Sequence, residues 1–180
     1  MPLLNSVTTP YAEAFLQVAN DLNQTEEIVS QVKEIINLIN ESPELEKALS
    51  SPILEKESKK NLLVQIFSGQ INNSLLNLLK LLADRQRIGI VLPILERFME
   101  LYRETSNIAL ATVTSAVELT NEQKDLIKDK ISSIAGTQKL ELVTKTDQTL
   151  IGGFVASVGS KVIDASIASQ IRKLGLSLSK

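Results

Sequence analysis

Gly152, Gly153 and Gly159, followed by Ser160 and Lys161, are the nearest this sequence comes to a phosphate-binding loop. A P-loop needs the pattern G-x-x-x-x-G-K-[ST], whose backbone N–H groups cradle phosphate at a helix start. Here five residues separate Gly153 from Gly159, and the order that follows is Gly-Ser-Lys. The surrounding residues read as strand, so these glycines are read as structural. Serines are frequent, but the chain has no histidine, so none has the usual base, and only a Ser–Lys pair remains as a nucleophile. With no cysteine either, thiolate chemistry and disulfides are out, and no metal-ligand spacing is present. Asp147 and Asp164 are isolated carboxylates at a turn and at a helix start, where capping is their ordinary use. The run Glu55, Lys56, Glu57, Lys59 and Lys60 reads as a solvated helix face with i, i+4 pairing. Arg85 and Arg87 sit at a corner between two apolar helices, where capping of carbonyls and contact with a partner are both open. No catalytic, cofactor-binding or metal-binding residue is expected.

Composition narrows the remaining classes. A net charge of −2 provides no strong field for nucleic acid or an anionic membrane. Aromatic residues make up 3% of the chain, too few for base-stacking platforms. The start, MPLLNSVTTP, has neither a basic n-region nor a long apolar core, and it lacks the arginine bias of a transit peptide. The apolar run Leu75 to Ala83 is interrupted by Asn77 and Lys80 and is far short of the ~20 residues that span a bilayer. A soluble protein rich in aliphatic helices is the expectation.

Those helices occupy the first half. Thr9-Pro10 is read as the N-cap and first position of a helix with Tyr11, Phe15, Val18 and Leu22 as its apolar face. Ala12, Ala14 and Ala19 allow close approach on its other faces. Thr25 is read as the cap of a second helix whose stripe is Ile28, Val32, Ile35 and Ile39, ended by Ser42-Pro43. A short helix over Glu44 to Leu49 follows, then one over Glu57 to Ser68 with Leu62, Leu63, Ile66 and Phe67 inward and Gly69 closing it. A fifth, starting at Leu75, is apolar nearly all round and belongs inside a bundle. A sixth, roughly Ile90 to Ser106, tolerates Pro93 in its first turn and buries Leu95, Phe98, Met99 and Tyr102.

At Ser106-Asn107 the period changes from helical to alternating. Ile108 to Val117 reads as a strand, and Thr120 with Gln123 forms a capping box for a helix carrying Leu126, Ile127, Ile131 and Ile134 to a stop at Gly136. Leu140 to Thr146 and Phe154 to Gly159 read as two strands of a ribbon that doubles back through Asp147-Gln148-Thr149. The Gly152-Gly153 pair marks a bulge or a place where another backbone comes close. A short segment Lys161 to Ile163 and a final helix, with the stripe Ile167, Ile171, Leu174 and Leu178, complete a strand–helix–strand–strand–helix unit. The expected fold is mainly α with a small α/β part: a six-helix bundle over 1–106 and an α/β domain over 107–180.

Several of these stretches resemble a known family. Tyr11 to Ala19, YAEAFLQVA, is similar to the opening helix of the delta subunit of F-type ATP synthases, the homologue of the oligomycin-sensitivity-conferring protein. Arg85 to Tyr102 is similar to that family's arginine–isoleucine corner and sixth helix. The most specific match is Leu140 to Ile167: an aspartate, Leu-x-Gly-Gly, a short strand ending in Gly-Ser, then Val-Ile-Asp-x-Ser. The tail resembles cyanobacterial and plastid members, and a start at Met1 fits a bacterial or plastid-encoded copy.

The resemblance implies a non-catalytic stator protein, one copy in a hetero-oligomeric complex. It links the catalytic head to the peripheral stalk so that proton-driven rotation is coupled to ATP synthesis. In that family the N-terminal bundle holds the N-terminal segments of alpha subunits, and the C-terminal domain holds the ends of b and b′ type stalk subunits. Carried onto this chain, Tyr11, Ala14, Leu78, Leu81 and Arg87 face the first partner, and Ile167, Ile171 and Leu174 the second. Ordinary core is the competing reading for each apolar one, Leu78 above all. The implied location is the cytoplasmic or stromal face of the thylakoid membrane, without insertion into it, and with no cofactor and no nucleic acid. Apart from the resemblance, the residues are also compatible with a helical adaptor or an RNA-binding module using Lys139, Lys145 and Lys161.

Overall fold

Apolar residues spaced i, i+3, i+4 organise everything before residue 106 into helices. The computed structural model describes residues 2–135, 139–159 and 161–178; the side chains of 2–5, 134, 135 and 173–178 lie outside that description. The helices are α1 (Pro2–Asp21), α2 (Thr25–Glu41), α3 (Pro43–Ser50), α4 (Lys56–Phe67), α5 (Asn73–Asp84) and α6 (Val91–Thr105), with a 3-10 turn at Ile88–Ile90 leading into α6. Then come β1 (Ala109–Ser115), α7 (Asn121–Ala135), β2 (Leu140–Thr146), β3 (Phe154–Val158), β4 (Lys161–Asp164) and α8 (Ile167–Leu178). The described residues thus form eight α-helices and a mixed sheet of four strands, a mostly helical fold. The chain divides into two compact units, Met1–Tyr102 and Arg103–Lys180.

In the first unit, α1 departs from the sequence reading. It starts at Pro2, and Pro10 lies inside it instead of opening it. Proline in a helix interior removes one main-chain donor. The helix tolerates this because its next turns are anchored by burial of Thr8, Ala12, Phe15, Leu16 and Ala19. The inward face is therefore Ala12–Phe15–Leu16–Ala19, while Val18 and Leu22, expected inside, are exposed. The two small alanines let neighbouring helices approach, and the Phe15 ring lies 5.2 Å from that of Phe98 on α6.

Helix α2 buries Ile28, Val32, Ile35 and Ile39 as its spacing requires. Its N-cap is Gln24, not Thr25, which instead donates a hydrogen bond to Asn20 Oδ1 at 2.8 Å. Asn72 caps α5 by accepting from the Ser74 N–H at 2.9 Å. The Asn72 N–H donates to Gln31 Oε1 at 2.7 Å, which ties the start of α5 to α2. From there α5 buries Leu75, Leu76, Leu78, Leu79, Leu82 and Ala83, and only Leu81 of its leucines is exposed. An ion pair from Lys60 on α4 to Asp84 fastens the far end of α5.

The second unit corrects the ribbon. Strand order is β2-β1-β3-β4, so β1 lies between the two strands expected to pair with each other. β1 runs parallel to β2, with Ala111 opposite Leu142, and antiparallel to β3, with Val113 opposite Ala156. The reason is apolar content: β1 carries the fully buried pair Ala111 and Val113, and a strand with that much to hide takes the centre of a sheet. The segment after Gly159 is a fourth strand, β4, antiparallel to β3, an element more than the strand–helix–strand–strand–helix reading allowed.

α7 covers one face with Ile127 and Ile131 against Ala111, Val113, Leu140 and Ala156. The capping box at its start forms as expected: Thr120 N–H donates to Gln123 Oε1 at 3.0 Å, and Gln123 N–H to Thr120 Oγ1 at 3.3 Å. Ile134, Gly136, Leu174 and Leu178, also singled out from sequence, have side chains or positions outside the described residues.

The glycine pair marks a close approach. A Cβ on Gly153, which has φ +80°, would lie 2.4 Å from the Ala165 carbonyl oxygen, and one on Gly152 would lie 2.6 Å from Ile167 Cδ1. The Ala165 N–H donates to Phe154 O and the Ile167 N–H to Gly152 O, each at 3.0 Å. Asp164 completes the joint, accepting from the Ser166 N–H at 2.9 Å and from the Ser169 hydroxyl at 2.5 Å. The start of α8 is thereby locked against the turn before β3.

The Lys60–Asp84 pair makes a pH prediction. The hydrogen bond to Asp84 holds the Lys60 ammonium above the ordinary lysine value of 10.5, partial burial opposing it and the charges of Asp84 and Glu57 adding to it. A raised folded-state value means that the pair's contribution is complete below pH 10.5 and fades as pH rises through the folded value. In urea titrations, Lys60→Met is expected to be less stable than wild type by a constant margin at neutral pH. That margin should hold from pH 7 to pH 9 and shrink as pH rises further; shrinkage between pH 7 and pH 9 would contradict the assignment.

Candidate partner-binding surfaces

Helices α1 and α5 each carry a second set of uncharged residues at the same spacing, mostly apolar on α1 and half apolar on α5. On α1 it is Tyr11, Ala14, Phe15 and Val18; on α5 it is Ser74, Asn77, Leu78 and Leu81. Both are i, i+3, i+4, i+7, and where the helices lie side by side they enclose a groove of about 320 Å³. Leu78, at 8% exposure, is its floor, and Val18 at 44% and Leu81 at 43% are its walls. From Tyr11 to Val18 the helix rises ~10 Å, so the groove matches about two turns of a helical ligand. At the end where α5 finishes, Arg87 Nη1 donates to the Tyr11 hydroxyl at 2.8 Å, with Cζ 5.7 Å from the ring centroid. The corner residue Arg87 thus reaches Tyr11 instead of capping carbonyls.

Of the residues picked from sequence for this surface, the structure brings Tyr11, Ala14, Leu78 and Leu81 into one groove and sets Arg87 against Tyr11. Val18 was missed, because an apolar face read from α1 alone cannot tell the buried side from an open one. Asn77 was noticed only as a break in an apolar run.

The second unit has its own opening. Between the β1–α7 connection, the first turns of α7 and the 151–154 turn lies a cleft of about 430 Å³. Val117, Leu126 and Ile151 line it, with Leu126 70% and Ile151 79% exposed. None of these is picked as a site from sequence: Val117 is read only as the end of a strand and Leu126 as one of the apolar residues of the helix that follows, and Ile151 is not singled out. Gly152, on the cleft wall, is the residue against which Ile167 packs, so the base of α8 adjoins the cleft. Ile167 and Ile171 are exposed, and Leu174 follows on the same helix with its side chain outside the described residues.

The isolated carboxylates are structural. Asp147 accepts from the Thr149 hydroxyl at 2.7 Å and the Thr149 N–H at 2.9 Å, bonds that hold its carboxyl below the ordinary aspartate value. Lys145 and Lys161 lie on β2 and β4, the opposite edges of the sheet, so the lysines of the RNA-binding reading are not gathered into one patch. No described helix is long and apolar enough to cross a membrane.

The sequence profile of the family described as ATP synthase delta (OSCP) subunit matches residues 7–178. The chain is 77% identical over 180 residues to the ATP synthase subunit delta of Prochlorococcus marinus strain MIT 9312, covering all of both chains. To that of strain NATL2A it is 59% identical, covering all of this chain and 99% of the relative. In fold it is similar to a chain of the Toxoplasma gondii mitochondrial ATP synthase hexamer, with a TM-score of 0.71 and 20% identity over 95% of this chain and 96% of that one.

Surface and core make opposite predictions within the second unit. Leu126→Ser and Ile151→Ser should each change unfolding free energy by no more than ~0.5 kcal/mol, whereas Ile131→Ala should cost ~2–5 kcal/mol. Chemical denaturation followed by far-ultraviolet circular dichroism checks both; a large loss on altering Leu126 would make that side chain part of the core.

Proposed function

Because the chain belongs to the ATP synthase delta (OSCP) family, whose members are non-catalytic stator components of the peripheral stalk of F-type ATP synthases, we propose how its two units divide that task. The six-helix bundle, with the domain ending near residue 106, holds the N-terminal segment of an alpha subunit in the α1/α5 groove. The domain that follows holds the ends of b and b′ type stalk subunits at the cleft beside α7 and along Ile167, Ile171 and Leu174 of α8. The link runs from head to stalk on the cytoplasmic or stromal face of the thylakoid membrane. The observation that carries this reading is the presence of one preformed apolar opening on each unit.

Helix-in-groove recognition needs a rigid apolar slot and anchors at i, i+3, i+4 and i+7 on the ligand. Three buried apolar anchors contribute ~5–9 kcal/mol gross, against an association cost of ~4–15 kcal/mol. A two-turn groove alone is therefore a weak site. Firm attachment has to draw on surface beyond it, such as exposed Leu22 on α1, and on a polar contact at its ends.

Two experiments on the full chain test the division. Val18→Asp with Leu81→Asp should reduce binding of a synthetic alpha N-terminal peptide at least a hundredfold, through charge buried without a partner, while capture of b-type subunits persists. Leu126→Asp with Ile171→Asp should do the reverse. If either pair abolished both interactions in folded protein, or neither, the two-ended reading would fail.

A further inference from the structure

The groove between α1 and α5 is uncharged along its whole lining, yet a cation is fixed at one end. Arg87 is placed by its surroundings. Its N–H donates to Leu82 O at 2.7 Å, Gln86 before it takes φ +56°, and Ile88 after it is fully buried. The guanidinium lies against the Tyr11 ring and donates one N–H to the phenol oxygen. Guanidinium has five N–H donors in a planar fork, so most remain available at the mouth of the groove. Two other arginines are paired, Arg97 with Glu100 at 2.8 Å and Arg103 with Glu141 at 3.3 Å. Among the described residues no carboxylate lies within ion-pair distance of Arg87, and Asp84, three positions before it, is engaged by Lys60. An exposed cation held in place on an aromatic ring, at the end of a neutral apolar slot, is complementary to an acidic group on an otherwise apolar helix face.

We propose that Arg87 is a specificity-determining residue of the α1/α5 groove, receiving a carboxylate side chain of the docking helix just beyond its last apolar anchor. This rests on the reading of the groove as the site of an alpha-subunit segment. Arg87 and Tyr11 then fix both the register of that helix and the direction in which it lies. The fork takes the carboxylate, and the phenol keeps the fork from swinging into solvent.

The test measures binding of the synthetic alpha N-terminal peptide to the full-length chain by fluorescence anisotropy at low and high salt. Arg87→Gln should weaken binding about tenfold at low salt and flatten its salt dependence. Arg87→Lys should recover part of the loss, since a point charge replaces the fork. Each acidic residue of the peptide is then changed to its amide in turn. One such peptide should bind wild type as weakly as the parent binds Arg87→Gln, and should lose nothing further against that variant. Tyr11→Phe, which keeps the ring and removes the phenol, should cost about two- to threefold and leave the coupling to the same carboxylate in place. Unchanged binding by Arg87→Gln, or losses that add independently at every acidic position, would overturn the role of Arg87 while leaving the groove intact. Unchanged binding by Val18→Asp with Leu81→Asp would instead remove the groove, and this role with it.

Discussion

Helix α1 carries more apolar surface than its own unit can bury. Ala12, Phe15, Leu16 and Ala19 face inward, yet Tyr11, Ala14 and Val18, on an adjacent stripe, are also uncharged and mostly apolar. A helix in a bundle usually turns polar on the side away from its neighbours. Here the second stripe faces a matching set on α5, and the two together line the groove. The small residues decide this. Ala12 and Ala19 let the backbone of α1 sink into the bundle, while Ala14, also small, leaves room on the outside where a larger side chain would fill the groove.

The second unit works under a tighter constraint. Among the described residues its buried apolar cluster centres on Ala111, Val113, Ile127, Ile131, Leu140 and Ala156. Small domains are marginal because so much of their surface stays exposed. Backbone fit and hydrogen bonds compensate at the joint between the 151–154 turn and α8, where two glycines admit the Ala165 carbonyl and Ile167 and where Asp164 orders the first turn of the helix. That joint places the base of α8 beside the open cleft. The apolar side chains left over, Val117, Leu126 and Ile151, are then available to a partner.

A stator subunit transmits force and performs no chemistry, and the residues reflect that. The titratable groups that stand out are committed to holding the backbone: Asp147 and Asp164 to turns, Lys60 and Asp84 to fastening α4 to α5. Mechanical resistance needs rigid elements and pre-shaped contact surfaces, since every side chain ordered on binding subtracts from affinity. Leucine-rich α5, capped by Asn72 at one end and held by Lys60 at the other, is built for that use.

Local signals were legible wherever one element settles its own fate. The inward stripe of α2, the Thr120–Gln123 capping box, the need for glycine at 152 and 153, and the break from helical to alternating period near residue 107 all depend on neighbours a few positions away. Four residues of the α1/α5 groove, and Arg87 at its end, were named from sequence through resemblance to a family. What only the tertiary structure decided was which apolar stripe of α1 faces in, which strand takes the centre of the sheet, and which side chains are left outside. Val18 and Ala12 are equally apolar in the sequence; the packing of α5 and α6 against α1 separates them. β1 goes between β2 and β3 because burying Ala111 and Val113 on a sheet interior outweighs the convenience of pairing two strands joined by a short turn. Composition and spacing determine what each segment can become, and competition among segments for the same buried volume determines which of them stays open to a partner.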